Sequence, residues 1–242
     1  ISAPAIAALG ARAGGAGLVH LVVPDATRIP AAALVPEAVF LKQTATCMPP
    51  KADVTAMGMG LGVTPASEAL VSRVLSGSTG RFVLDADALS VLAKWYAGKP
   101  FPVTPEQTLV LTPHAGEAAR LLATTADEVQ KDRRGALERL VALYRAVVVL
   151  KGANTLVGAP EVPETFACGA GNPFMALGGM GDLLAGVIGA RWAYLKGDPF
   201  LAAASGVWLH GAASDAVVAA ATDPSIVNTA AAVGSLRVRL DA

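Results

Sequence analysis

The residues whose spacing carries the most chemistry are Gly178-Gly179-Met180-Gly181-Asp182, inside the longer run GNPFMALGGMGDLLAGVIGA from Gly171 to Ala190. Glycines at 178, 179 and 181 let the backbone turn tightly and approach a ligand closely. Asp182 then leads into an apolar stretch of helical character. The N–H groups at a helix start lack intrahelical partners and carry the positive end of the dipole, so they suit a phosphate. A carboxylate beside them can take a proton from a hydroxyl. An anion cradle next to a base is the core of a phosphoryl-transfer site. Asp182 has a second reading at this point: a helix N-cap, a position where Asp is favoured.

Other candidates also have two readings. His114 follows Thr112 and Pro113 and precedes a helical stretch, so it is either a site residue or an N-terminal helix residue. Lys151 ends the apolar run Val147–Leu150, and ligands bind at the carboxyl ends of parallel strands. A solvated strand-end lysine is the alternative. Asp85 and Asp87 follow Phe82–Leu84, and a helix cap is the favoured reading of Asp87. His20 and His210 lie in apolar stretches and read as core histidines. Cys47 and Cys168 show no metal or redox spacing. They read as plain core residues in a reduced, cytoplasmic setting.

Stepping outward, these residues need a scaffold. Strand candidates are Leu18–Val23, Val54–Met57, Phe82–Leu84, Leu109–Leu111 and Val147–Leu150. They are short and continuously apolar, as strands buried on both faces are. Helical stretches cover Ala66–Leu75, Ala88–Tyr96, Gly116–Leu122 and Ala126–Tyr144. Alternating strands and helices with short connections predict a doubly wound, mostly parallel sheet with helices on both faces, a three-layer α/β/α arrangement. After Lys151 the pattern predicts two strands, Thr155–Val157 and Val162–Ala167, turning at Gly158–Pro160. Three helical stretches follow: Asp182–Leu195, Pro199–Ala221 and Thr229–Leu236. No linker and no repeat interrupts the 242 residues, so one domain over 1–242 is expected.

Composition narrows the function classes. With 53% apolar and 16% charged residues, the chain is not disordered over most of its length. Nineteen basic and nineteen acidic residues give zero net charge. That leaves no basic excess for a nucleic-acid backbone or an anionic membrane. No apolar run reaches the roughly 20 residues of a spanning helix.

Several ordered motifs then identify a resemblance. LDADAL at Leu84–Leu89, LTPHAGEAARLL at Leu111–Leu122, VVVLKGANT at Val147–Thr155 and GNPFMALGGMGD at Gly171–Asp182 occur in that order, and AMGMGLG at Ala56–Gly62 precedes them. Together they resemble the ADP- or ATP-dependent NAD(P)H-hydrate dehydratase family, carbohydrate-kinase-like proteins of the ribokinase-like superfamily. The resemblance spans nearly the whole chain. The family has a strand and a glycine-rich turn ahead of the segment matching Ser2-Ala3-Pro4. The resemblance therefore predicts a ribokinase-like domain lacking that first strand here.

The resemblance implies repair of hydrated nicotinamide cofactors, NADHX and NADPHX. ADP or ATP donates a phosphoryl group to the hydrate hydroxyl, and phosphate then leaves where hydroxide leaves poorly. Asp182 would be the catalytic base. Ala3, Gly60, His114 and Asp182 would contact the hydrate. Lys151, Gly152, Ala153, Asn154, Thr155, Asn172, Gly179 and Gly181 would contact the nucleotide. Mg²⁺ is implied as cofactor, with Glu117 the first residue to examine as its ligand. A homo-oligomer is implied, with a tetramer as one form, and a fused or separate NAD(P)H-hydrate epimerase as partner. The family has Thr where this chain has Leu177 and Met180, and Gly where it has Phe174. Leu and Met cannot hydrogen-bond a phosphate. Two further readings follow: a kinase for a small alcohol, which shares the GGMGD cradle, and a non-catalytic nucleotide-binding descendant.

Overall fold

The computed structural model describes residues 2–44, 46–77, 79–104 and 106–241. Its backbone divides into two compact units, Ile1–Ala52 with Cys168–Ala242, and Asp53–Ala167. The first unit opens with α1 (Ala3–Ala13), β1 (His20–Val23), α2 (Asp25–Leu34) and β2 (Val39–Lys42). The second contains β3 (Thr55–Met57), α3 (Pro65–Gly77), β4 (Gly80–Leu84), α4 (Asp87–Tyr96), β5 (Gln107–Leu111), α5 (Ala115–Leu122), α6 (Ala126–Lys131), α7 (Arg133–Tyr144), β6 (Val147–Leu150), β7 (Leu156–Ala159) and β8 (Val162–Ala167). The chain then returns to the first unit with a 3-10 turn (Pro173–Met175), α8 (Met180–Leu195), α9 (Pro199–Ala219) and α10 (Ile226–Asp241).

In the second unit the sheet order is β3-β4-β5-β6-β7-β8. The strands β3 to β6 are parallel, and β7 and β8 are antiparallel. Phe82, Leu84, Leu109, Leu111, Val148 and Leu150 share one core with residues of α3 to α7. The alternate residues Val83, Val110 and Val149 are buried too. Burial of both parities is why these strands read as unbroken apolar runs. Parallel pairing has a functional consequence. β3, β4, β5 and β6 all end at one edge, and the segments leaving that edge are Gly58–Gly62, Asp85–Asp87, Thr112–His114 and Lys151–Thr155.

Most element ends differ from the sequence expectation by a few residues, and two differences have a local cause. The stretch Ala126–Tyr144 is two helices, because Asp132 leaves helical geometry at φ −136°, ψ 74°. Its carboxylate instead accepts from the Gly135 N–H at 2.8 Å and caps α7. The turn expected at Gly158–Pro160 falls at Pro160–Glu161, with Glu161 at φ 63° and β7 running on to Ala159.

In the first unit β1 and β2 form a parallel pair. The helices α1 and α8 lie side by side and run in the same direction. Ile6 clusters with Met180 and Leu183, while Gly10 abuts the Leu183 backbone and Gly14 the Val187 backbone. A methyl added at Gly10 would overlap the Leu183 carbonyl, and one at Gly186 would overlap the Ala7 carbonyl. Small residues thus let the two backbones touch. No element is expected from the sequence over α1, α2 or β2. Among the described residues no helix is long and apolar enough to cross a membrane.

Candidate active site

The expected residues fall into two groups, one on each unit. On the first unit lie Ala3, Asn172, Gly179, Gly181 and Asp182. The N-cap of α8 is Gly179, at φ 95°, ψ −10°. This left-handed backbone is one that glycine adopts without penalty. A side chain there would also strike Ile6 and Ile226. Gly179 has no side chain to occupy the first-turn amides, which have no acceptors within the helix. Asp182 is the third residue of α8, not its cap. The simple capping reading of this aspartate therefore does not hold. Ala3, the first residue of α1, lies at the matching end of the neighbouring helix, since α1 and α8 run in the same direction.

Met180 is buried in the core with Ile6, Leu183 and Ala230. Its side chain is therefore part of the packing between α1, α8 and α10. Leu177 and Phe174 are exposed, at 42% and 57%. Asn172 is committed within its own loop. Its amide nitrogen donates to Asp215 at 2.8 Å and to Ser214 at 3.1 Å, and its oxygen accepts from the Phe174 N–H at 3.1 Å. Asp215 also accepts from the Gly171 N–H at 2.8 Å. The Asn172 side chain thus holds the turn, leaving the backbone as the part of this residue that can meet a phosphate. Asp215 is absent from the sequence expectations. Its signal was its being the only Asp, Glu, Lys or Arg between Pro199 and Ala219.

On the second unit, Gly60, His114 and Lys151–Thr155 follow β3, β5 and β6 at the same sheet edge. His114 is the N-cap of α5. Its Nδ1 accepts from the Gly116 N–H at 3.0 Å and the Glu117 N–H at 3.3 Å. Glu117 returns the bond, accepting from the His114 N–H at 2.8 Å. This is a capping box with His in the usual Ser or Thr place. Nδ1 as acceptor assigns the hydrogen of the neutral ring to Nε2, which lies 3.6 Å from the Glu117 Oε1.

Lys151 donates to Asp85 at 2.7 Å, and its Nζ lies 3.8 Å from Glu117. Asp85 is 1% exposed and Glu117 7%. A second cation at Glu117 would be repelled by the Lys151 ammonium. Among the described residues no group of three or more His, Cys, Asp or Glu is assembled to hold a metal. Glu117 has the His114 N–H and the Lys151 ammonium as its neighbours. Arg133 of α7 fixes the same segment, donating to the Leu150 carbonyl at 3.0 Å and the Lys151 carbonyl at 3.4 Å. Thr155 donates to the Gly152 carbonyl at 3.0 Å and closes the turn.

Away from these groups, His210 is buried in α9, as expected. Cys168 is also buried, and that burial pushes its thiol pKa up. Cys47 is half-buried.

Known proteins carry the same pattern. A family model described as NAD(P)H-hydrate dehydratase, of the carbohydrate-kinase type, matches residues 2–233. The ADP-dependent (S)-NAD(P)H-hydrate dehydratase of Neisseria meningitidis serogroup B is 40% identical over 182 residues, covering 74% of this chain and 60% of the relative. The bifunctional NAD(P)H-hydrate repair enzyme Nnr of Coxiella burnetii is 41% identical over 164 residues, covering 68% of this chain and 32% of the relative. The chain thus spans less than two thirds of the length of either. The crystal structure of the ADP/ATP-dependent NAD(P)H-hydrate dehydratase of Bacillus subtilis, co-crystallised with ATP/Mg²⁺, is 26% identical. It superposes with a TM-score of 0.84 over 99% of this chain and 84% of its own. The mostly parallel, ribokinase-like α/β fold expected from the sequence is the one found.

Proposed function

Because this chain belongs to the carbohydrate-kinase family described as NAD(P)H-hydrate dehydratase, we propose that it converts (6S)-NAD(P)H hydrate back to NAD(P)H with a phosphoryl group from ADP or ATP. The observation that carries this reading is Asp182 at the third position of α8, behind a glycine cap with no side chain. The family model crosses both units, which supports treating residues 1–242 as one ribokinase-like domain.

In this reading the hydrate hydroxyl attacks the terminal phosphorus of the nucleotide. The bond from that phosphorus to the departing nucleotide breaks, and Asp182 takes the hydroxyl proton. The backbone amides of Gly179 and Gly181 hold the charge on the moving group, donors worth about 3–4 kcal/mol each in comparable sites. The ring nitrogen lone pair then expels phosphate, and the adjacent ring carbon gives up a proton to restore the double bond. Lys151–Thr155 and the Asn172 backbone bind the nucleotide, and Gly60, His114 through Nε2–H, and Ala3 bind the hydrate. Mg²⁺ neutralises phosphate charge when bound. The bifunctional name of the Coxiella relative supports an epimerase as functional partner.

The test is to incubate the protein with hydrated NADH, Mg²⁺ and either ADP or ATP, following recovery of reduced-nicotinamide absorbance. Recovery with at least one nucleotide, and none without, is expected. No recovery with either sinks the reading, and a stable phosphorylated alcohol from a substrate panel would replace it with a kinase.

A further inference from the structure

The segment Asp85-Ala86-Asp87 carries two carboxylates that hold two other strand ends. Asp85 leaves β4 and is buried at 1% exposure, with its Oδ1 2.7 Å from the Lys151 ammonium after β6. Lys151 is itself only 17% exposed. Asp87 turns the other way. Its Oδ2 accepts from the Gly62 N–H at 2.7 Å, and its own N–H donates to the Gly58 carbonyl at 3.3 Å. These bonds close both ends of the turn after β3 that contains Gly60. The fit is close, because Gly58 is at φ 122° and a side chain there would overlap the Asp85 carbonyl.

Ala86 between them sits at φ 50°, ψ −117°. A residue with a Cβ adopts that geometry only at a cost, and such strain persists where the surroundings over-determine it. The strained alanine is what sends consecutive aspartates to opposite neighbours. A helix cap alone needs neither the strain nor a buried aspartate two residues earlier.

We propose that Asp85 and Asp87 are positioning residues for two different ligands. Asp85 sets the Lys151 ammonium for the nucleotide, and Asp87 sets the Gly58–Gly62 turn for the hydrate. The proposal rests on the dehydratase reading and on its assignment of Lys151 and Gly60. A buried carboxylate 2.7 Å away holds the lysine in place, and a lysine released from it must be reordered when the ligand binds.

The experiment measures ADP and ATP affinity by calorimetry, separately from hydrate turnover, for wild type, Asp85→Asn, Asp87→Asn, Lys151→Met and the double variant Asp85→Asn/Lys151→Met. Asp85→Asn is expected to weaken nucleotide binding about tenfold with the hydrate KM unchanged. Asp87→Asn is expected to raise the hydrate KM about tenfold with nucleotide affinity unchanged. In the Lys151→Met background Asp85→Asn should add nothing. Wild-type nucleotide affinity at Asp85→Asn, an equal further loss on the Lys151→Met background, or one shared effect of both aspartates on both ligands overturns the proposal. Should Asp85→Asn fail to fold, Asp85→Leu/Lys151→Met replaces it, since it leaves no buried charge unpaired. Affinity equal to Lys151→Met then supports the proposal, and a further loss overturns it. A wild type that binds neither nucleotide fails the dehydratase reading itself, and the inference falls with it.

Discussion

The candidate residues of the two units are held by opposite materials. In the first, backbone does the work. Gly10 and Gly186 bring α1 and α8 into contact, and Gly179 caps the start of α8 without a side chain. In the second, charged side chains do it. Lys151, Asp85, Glu117 and His114 lock one another at the sheet edge. The first half should therefore be sensitive to added atoms and the second to removed charges. The zero net charge fits this division, since amides at a helix start bind phosphate without basic residues.

The largest effect on folding should come from the second unit. Lys151→Met strips the buried Asp85 of its close partner and should lower the unfolding free energy by about 3 kcal/mol, read from urea denaturation. An unchanged midpoint would mean the pair is solvated and the contrast between the units is false. Next, Gly186→Ala pushes a methyl onto the Ala7 carbonyl. It should cost about 2 kcal/mol, whereas the same change on an exposed helix surface is stabilising. A neutral result would show that α1 and α8 can separate freely. The smallest effect concerns His114. His114→Ala should cost about 1 kcal/mol through the lost cap. His114→Asn, which can accept the same amide bonds, should keep that stability in thermal melts yet lose the Nε2–H donor and raise the hydrate KM. Equal melting losses for both variants would contradict the capping geometry.

The same division explains what could be read in the sequence. The strand ends were legible because buried parallel strands are continuous apolar runs, and the charged or glycine-rich segments after Met57, Leu84, Leu111 and Leu150 stand out against them. The glycine-capped start of α8 was legible through GGMGD, but not its support. Gly10, Gly14 and Gly186 look like poor helix residues, and only the α1–α8 contact reveals them as packing residues. Met180 shows the converse. Its replacement of threonine reads as a lost ligand contact, yet the side chain belongs to the core with Ile6. Asp132 broke a helix that periodicity alone runs together, because periodicity records burial and not φ and ψ. The roles of Asp85 and Asp87 depend on which strands neighbour β4, which no local pattern states.

The central claim is that Asp182 is the base of a nucleotide-dependent hydrate dehydration. The most direct measurement compares wild type and Asp182→Ala in the hydrated-NADH assay with ADP and with ATP, alongside calorimetric nucleotide affinity. The account predicts turnover in wild type, a rate lower by on the order of 10²–10⁴-fold in Asp182→Ala, and nucleotide binding retained in both. Equal rates in the two proteins would contradict it.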